Sequence, residues 1–192
     1  MHWRMTMKYK CAFSGSGGQG AALMAKLTCM ACITEKKQVV MTQTYGVEQR
    51  GGDSTGYVVI SDQPISNPIV ESDANVAVAL SESIYQSTLD GVCEGGTIFV
   101  NSSMVKHTKE KPGVTQVLLP VSEMAQDMGN IRVANIIMLG AVIRATGMLG
   151  KESVADALAS ALGKKAKTQL LEVNMRALQK GVEVMEKKGG GK

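Results

Sequence analysis

Aromatic side chains are scarce: two Phe, one Trp and four Tyr make up 4% of 192 residues. Single strands of nucleic acid are held largely by stacking bases on aromatic rings, so the shortage weighs against a nucleic-acid partner. It also calls for an aliphatic core, with 13 Met to fill its gaps. Cysteines number only four, Cys11, Cys29, Cys32 and Cys93, and no run of them could hold an iron–sulfur cluster. Cys29 and Cys32 share one face in mid-helix without a second pair, and read as packing residues. His2 and His107 stand outside any Cys/His cluster, so no metal site is expected. Acids such as Asp53, Asp73 and Glu82 are scattered, and no triad or acid/base pair marks a catalytic residue. The longest apolar stretch, residues 136–143, is far too short to span a bilayer, and no signal peptide is visible. A reduced, cytoplasmic protein is expected.

What is present fits an ordinary globular balance, 44% hydrophobic and 20% charged, with a net charge of +4. The length suits a single domain over residues 1–192, with a leader (1–7) and a tail (187–192) expected to be disordered. Residues 8–14 read as a strand, 21–33 as a helix of small and aliphatic residues, and 38–42 as a short buried strand. That order reads as a right-handed crossover unit. Residues 42–54 are polar and glycine-rich and read as a long functional loop. Further strands are expected at 57–61, 76–80, 97–100 and 114–119, with Gly95-Gly96 as a turn. Helices are expected at 84–89, 122–128 with Ser122 as N-cap, 134–146, 152–162 and 165–186. Gly140, in the middle of an apolar helix, signals close packing. The pattern is an α/β domain with a mostly parallel sheet and a helical C-terminal part.

Ligands of such sheets gather at the carboxyl ends of the strands. Four polar stretches fall there: residues 14–20, residues 42–54, Ser81-Glu82, and Asn101-Ser102-Ser103. The first contains Gly15-Ser16-Gly17-Gly18-Gln19-Gly20 between a strand and a helix, an arrangement that offers backbone N–H groups to an anion. A nicotinamide dinucleotide is disfavoured, because Met41-Thr42-Gln43-Thr44 holds no acid for a ribose. No Gly-Lys-Ser/Thr follows, so the loop is not a Walker-type nucleotide site. Arg50 adds a permanent cation suited to phosphate or carboxylate, unless Glu48 pairs with it instead.

The first glycine motif is followed by Thr42-Gln43-Thr44-Tyr45-Gly46-Val47-Glu48-Gln49-Arg50-Gly51-Gly52. Together the two resemble the gamma subunits of 2-oxoacid:ferredoxin (acceptor) oxidoreductases. Ile60-Ser61-Asp62, Asp73 ahead of Val76-Ala77-Val78, Gly95-Gly96, the helix from Asn135 and Asn174 extend the likeness over residues 8–186. Val47 departs from the family, which often has Pro there. The resemblance implies a Rossmann-like three-layer domain in a multisubunit enzyme that converts a 2-oxoacid to an acyl-coenzyme A. Thiamine diphosphate and iron–sulfur clusters would sit on partner subunits, and none on this chain. The implied partners are alpha and beta catalytic subunits and a ferredoxin-like delta subunit or ferredoxin. Coenzyme A would bind at a shared site, to which this chain brings Gly15, Gly17, Gly18, Gln19, Gly20, Thr44, Gly46, Glu48, Arg50, Gly51 and Gly52. On this reading the backbones of Gly17, Gly18 and Gly20 cradle a phosphate and Arg50 balances its charge. A short separate chain with Thr-Gln-Thr-Tyr-Gly looks most like the 2-oxoglutarate members, with pyruvate and branched-chain 2-oxoacids left open. Two other readings use the same motifs: a stand-alone module for a phosphorylated ligand, and a purely structural scaffold subunit.

Overall fold

The computed structural model describes residues 8–46, 52–163 and 168–189. Six strands form one sheet: β1 (Lys8–Ser16), β2 (Gln38–Tyr45), β3 (Asp53–Ser61), β4 (Ala74–Ala79), β5 (Val92–Asn101) and β6 (Thr115–Leu119). Six α-helices accompany them: α1 (Ala21–Thr34), α2 (Glu82–Asp90), α3 (Val121–Asp127), α4 (Ala134–Thr146), α5 (Lys151–Leu162) and α6 (Thr168–Gly189). The strand order is β2-β3-β1-β4-β5-β6. Only β3 runs against the others among the described residues, so the sheet is mostly parallel.

Alternation along the central strands creates the layers. Cys11, Phe13, Val58, Ile60, Val76, Val78 and Phe99 point to one face and join residues of α1, α3, α4, α5 and α6 in a single core. Ala12, Val59, Ala77, Ala79, Ile98 and Val100 point to the other face, which α2 covers with Tyr85 and Leu89. The domain is therefore Rossmann-like and three-layered, with most of its helices on one side. Lys10 is buried on strand β1, yet its ammonium donates to the carbonyl of Ile69 and pairs with Asp73, so the charge is met.

Three local expectations need correction. Residues 42–54 are not one long loop. β2 continues to Tyr45 and β3 begins at Asp53, with Thr44 opposite Thr55 and Tyr45 opposite Ser54. The edge position of β2 explains the error, because an edge strand keeps its pairing while facing water with polar residues. β2 also does not lie beside β1. It runs parallel to it with β3 inserted between them, so the 8–42 unit is interrupted by an antiparallel strand. Gly95 and Gly96 lie inside β5, where the pairing with β4 shifts register between Ala74 and Val76. Gly95 takes a φ of 79°, which suits a bulge.

Ser122 does not cap α3. Pro120 holds the N-cap position, and the Ser122 hydroxyl accepts a hydrogen bond from the Asn101 amide at 2.9 Å. The expected leader lies outside the described residues. Of the expected tail, Lys187, Lys188 and Gly189 belong to α6, and the Lys188 ammonium donates to the Leu118 carbonyl at 3.0 Å.

Helix α4 fills the space between the sheet and α6. Asn135 to Ile143 are buried without a break. Gly140 and Gly181 bring the backbones of α4 and α6 together: a Cβ on Gly181 would lie 1.9 Å from the Ile137 carbonyl oxygen. The close packing expected at Gly140 is present, since its own Cβ would lie 2.2 Å from the Leu178 carbonyl oxygen.

Candidate functional site

Strand β1 ends in a turn at the carboxyl edge of the sheet. Gly18 and Gly20 have φ of 79° and 86°, a region that favours glycine. The Gln19 side chain braces the turn. Its carbonyl oxygen accepts the Ser16 N–H at 2.8 Å, and its amide donates to the Leu80 carbonyl at 3.4 Å. Gly20 also carries the base of α4, because the Asn135 amide donates to its carbonyl at 3.4 Å.

The two glycine motifs meet. The Gly17 N–H donates to the Gly52 carbonyl at 3.2 Å, and the Gly46 N–H donates to the Asp53 carbonyl at 2.7 Å. Gly17 therefore spends its N–H on the second motif. The N–H groups of Gly18 and Gly20 have no acceptor among the described residues. A side chain at Gly18 would meet nothing within 4 Å, so that edge of the turn is open. Such N–H groups ahead of a helix can receive an anion.

The surroundings of the turn carry two distinct sets of side chains. One is a hydroxyl cluster around a carboxylate. The Ser16 hydroxyl donates to Asp53 and lies 2.9 Å from that of Ser81 and 2.7 Å from that of Ser83. Ser83 also donates to Asp53, at 2.8 Å. The other is a cavity of about 270 Å³ whose lining includes Gly17, Gly18, Asn101, Ser122, Arg132 and Asn135. Asn101 is buried and held by the Leu80 carbonyl and Ser122. Arg132 comes from a 3-10 turn (Ile131–Val133) and forms no ion pair among the described residues.

Gly17, Gly18, Gln19, Gly20, Gly46 and Gly52 thus converge on this edge through the links above, and Gly15 joins them at the end of β1, its carbonyl accepting the Ser54 hydroxyl at 3.4 Å. Thr44 does not join the cavity. It lines a different one with Ser14 and Thr55, between the sheet and α2. Glu48, Arg50 and Gly51 lie outside the described residues. Of the other polar stretches, Ser81 joins the hydroxyl cluster and Asn101 the cavity. Glu82 is turned to other work: its carboxylate accepts the Lys106 N–H at 2.6 Å, which holds it below the usual carboxylate range, and it pairs with His107. Sequence reasoning missed Arg132 and Asn135. A polar residue heading an otherwise apolar helix was the available signal for Asn135.

Among the described residues no three His, Cys, Asp or Glu side chains converge. Cys11 and Cys32 are buried in the core, and burial pushes the Cys32 thiol up to about 12 and Cys11 higher still. Folded protein treated with iodoacetamide at about pH 8 is therefore expected to keep Cys11 and Cys32 unmodified, with all four thiols reacting in guanidinium. Rapid labelling of either core thiol in the folded state would contradict this packing. No helix of the described residues is long and apolar enough to cross a membrane.

The family model for pyruvate ferredoxin/flavodoxin oxidoreductase matches residues 10–184. The 2-oxoglutarate synthase subunit KorC of Methanocaldococcus jannaschii is 37% identical, over 94% of this chain and 96% of its own length. A common gamma subunit of pyruvate/ketoisovalerate oxidoreductases from Thermococcus kodakarensis is 34% identical, over 80% of this chain and 88% of its own. The crystal structure of a keto/oxoacid ferredoxin oxidoreductase gamma subunit from Geobacter sulfurreducens superposes with a TM-score of 0.78 at 33% identity, covering 92% and 95% of the two chains. Sequence motifs, strand order and these likenesses agree: the chain belongs to the pyruvate ferredoxin/flavodoxin oxidoreductase family, as a gamma-type chain.

Proposed function

We propose that this chain is the gamma subunit of a cytoplasmic complex that oxidatively decarboxylates 2-oxoglutarate to an acyl-coenzyme A, and that it receives the phosphates of coenzyme A. Its partners are alpha and beta catalytic subunits and a ferredoxin-like delta subunit or ferredoxin. Thiamine diphosphate and iron–sulfur clusters on those partners supply the decarboxylation and the electron transfer. The full-length likeness to KorC supports 2-oxoglutarate as the substrate. A gamma subunit common to pyruvate and ketoisovalerate enzymes supports a further point: the choice of 2-oxoacid is made outside the gamma chain.

The observation that carries the coenzyme A reading is the hydrogen bond from Gly17 to Gly52, which ties both glycine motifs to one edge of the sheet. Gly18 and Gly20 then offer their N–H groups to a phosphate, and Arg50, from the second motif of the sequence, is assigned as the cation. The chain's role is to hold and orient the carrier so that its thiol reaches the partner's centre.

The test is the purified native complex, assayed with a panel of 2-oxoacids, coenzyme A and a redox dye. Rates with 2-oxoglutarate should exceed those with pyruvate and branched-chain acids. Arg50→Ala in the complex is expected to raise KM for coenzyme A by about tenfold to a hundredfold, the value of a charged hydrogen bond, with kcat nearly unchanged. An unchanged KM removes Arg50 from the site. A chain that purifies alone and binds phosphorylated ligands without partners would favour the stand-alone module instead.

A further inference from the structure

The proposed function leaves open which side of the turn the phosphates occupy, and the structure holds an asymmetry that decides it. None of Ser16, Asp53, Ser81 and Ser83 lines the cavity beside Gly17 and Gly18. Their cluster presents a carboxylate, and a phosphate placed there would meet a like charge. The cavity presents the opposite. Its lining includes a permanent cation, Arg132, with no ion pair among the described residues, beside the open edge of Gly18. An Arg fork gives two parallel donors to a phosphate. Met104 and Ile131 line the same cavity, 46% and 54% exposed, and provide apolar surface beside the cation. That pairing of a cation with apolar surface suits a phosphorylated purine nucleotide better than a bare anion.

We infer that the Arg132 cavity is the nucleotide subsite of this chain, with Arg132 gripping a phosphate of the coenzyme A tail and Met104 and Ile131 receiving its base. The inference rests on the coenzyme A reading above and adds a residue and a side of the turn to it. The amide of Asn101 and the hydroxyl of Ser122 are already paired with each other, so they shape the cavity wall.

The experiment uses the assembled complex and desulfo-coenzyme A, which keeps every phosphate and lacks the thiol. Calorimetry measures its Kd, and KM for coenzyme A is measured alongside. Arg132→Ala is expected to weaken desulfo-coenzyme A by about tenfold to a hundredfold and to raise KM in step, with kcat within about twofold of the parent. Arg132→Lys should recover part of the loss, because a point charge replaces the fork. Arg144→Ala, which loses only an exposed pair to Glu186, serves as the charge-matched control and should leave Kd unchanged. If Arg132→Ala binds desulfo-coenzyme A like the parent while Arg50→Ala does not, the cavity assignment is wrong and the coenzyme A reading survives. If the parent complex binds no desulfo-coenzyme A and turns over without coenzyme A, the reading itself fails and the cavity assignment falls with it.

Discussion

Gly181→Ala is expected to cost at least about 3 kcal/mol and to lower the melting temperature by roughly 6–12 °C. Two effects compete at this position, and they differ in sign. Gly181 lies inside α6, where Ala is the better helix former by about 1 kcal/mol, so local propensity alone predicts a more stable protein. Packing predicts the reverse. The new Cβ would lie 1.9 Å from the Ile137 carbonyl oxygen, 2.8 Å from the Ala141 nitrogen and 2.9 Å from the Ile137 carbonyl carbon. All three atoms are backbone of α4, itself buried, so no side chain can swing aside. The helices have to separate, and Leu178 and Val182 lose their seat in the core. Steric cost wins because it is repaid by no alternative rotamer. Gly140 makes the reciprocal approach to Leu178, so Gly140→Ala should destabilise similarly. The double variant should cost less than the two single costs added, since one separation accommodates both methyl groups. Thermal unfolding followed by circular dichroism reads all three. A Gly181→Ala protein that melts at or above the parent temperature would show that α4 and α6 do not touch as described.

The α4 half of this contact was legible in advance and the α6 half was not. Gly140 interrupts an apolar run, so a cost without compensation pointed to close packing. Gly181 sits in a polar amphipathic helix, where a glycine carries no such message. The same division runs through the sheet. Buried strands declared themselves through Val, Ile and Ala in sequence, as at Val76 to Ala79. The end of β2 did not, because Thr42 to Tyr45 occupy an exposed edge and satisfy their backbone through β3 instead of through burial. At the site, the glycine turn could be read from spacing because backbone conformation is a local matter. Arg132 could not, because it comes to the cavity beside Gly18 only through the path of the chain across five strands and a 3-10 turn. Nothing near it in sequence distinguishes it from a solvated arginine. The charge contrast between the Asp53 cluster and the Arg132 cavity is likewise a tertiary property, assembled from β1, β3 and the start of α2 on one hand and β5, α3, the 3-10 turn and α4 on the other.

Gly20→Ala tests whether the turn and α4 act as one unit, and its loss should be partly rescued by a second change. The single variant meets two penalties. A φ of 86° costs an L-residue about 1–2 kcal/mol. The new Cβ would also lie 2.1 Å from the Asn135 amide nitrogen and 2.8 Å from its carbonyl carbon. Asn135 is 4% exposed and hydrogen-bonded at both ends, to the Gly20 carbonyl and the Ile136 N–H, so its amide has little room to move. Together these predict a loss of about 2–4 kcal/mol for Gly20→Ala. Asn135→Ala alone removes two hydrogen bonds and should cost about 1–2 kcal/mol. In the double variant the clash is gone while the backbone strain and the two lost hydrogen bonds remain, so the combined loss should fall short of the sum by about 1 kcal/mol or more. Denaturant unfolding of the parent, both single variants and the double gives the coupling directly. Additivity within about 0.5 kcal/mol would mean that the turn and the α4 base are independent. Ligand binding should follow stability only in part. On the proposed coenzyme A reading Gly20→Ala displaces the N–H groups assigned to the phosphate, so desulfo-coenzyme A should bind the assembled complex at least about tenfold more weakly. Asn135→Ala should restore some of that affinity to Gly20→Ala. Such a rescue distinguishes a turn positioned by its contact with α4 from a turn that merely sits beside it.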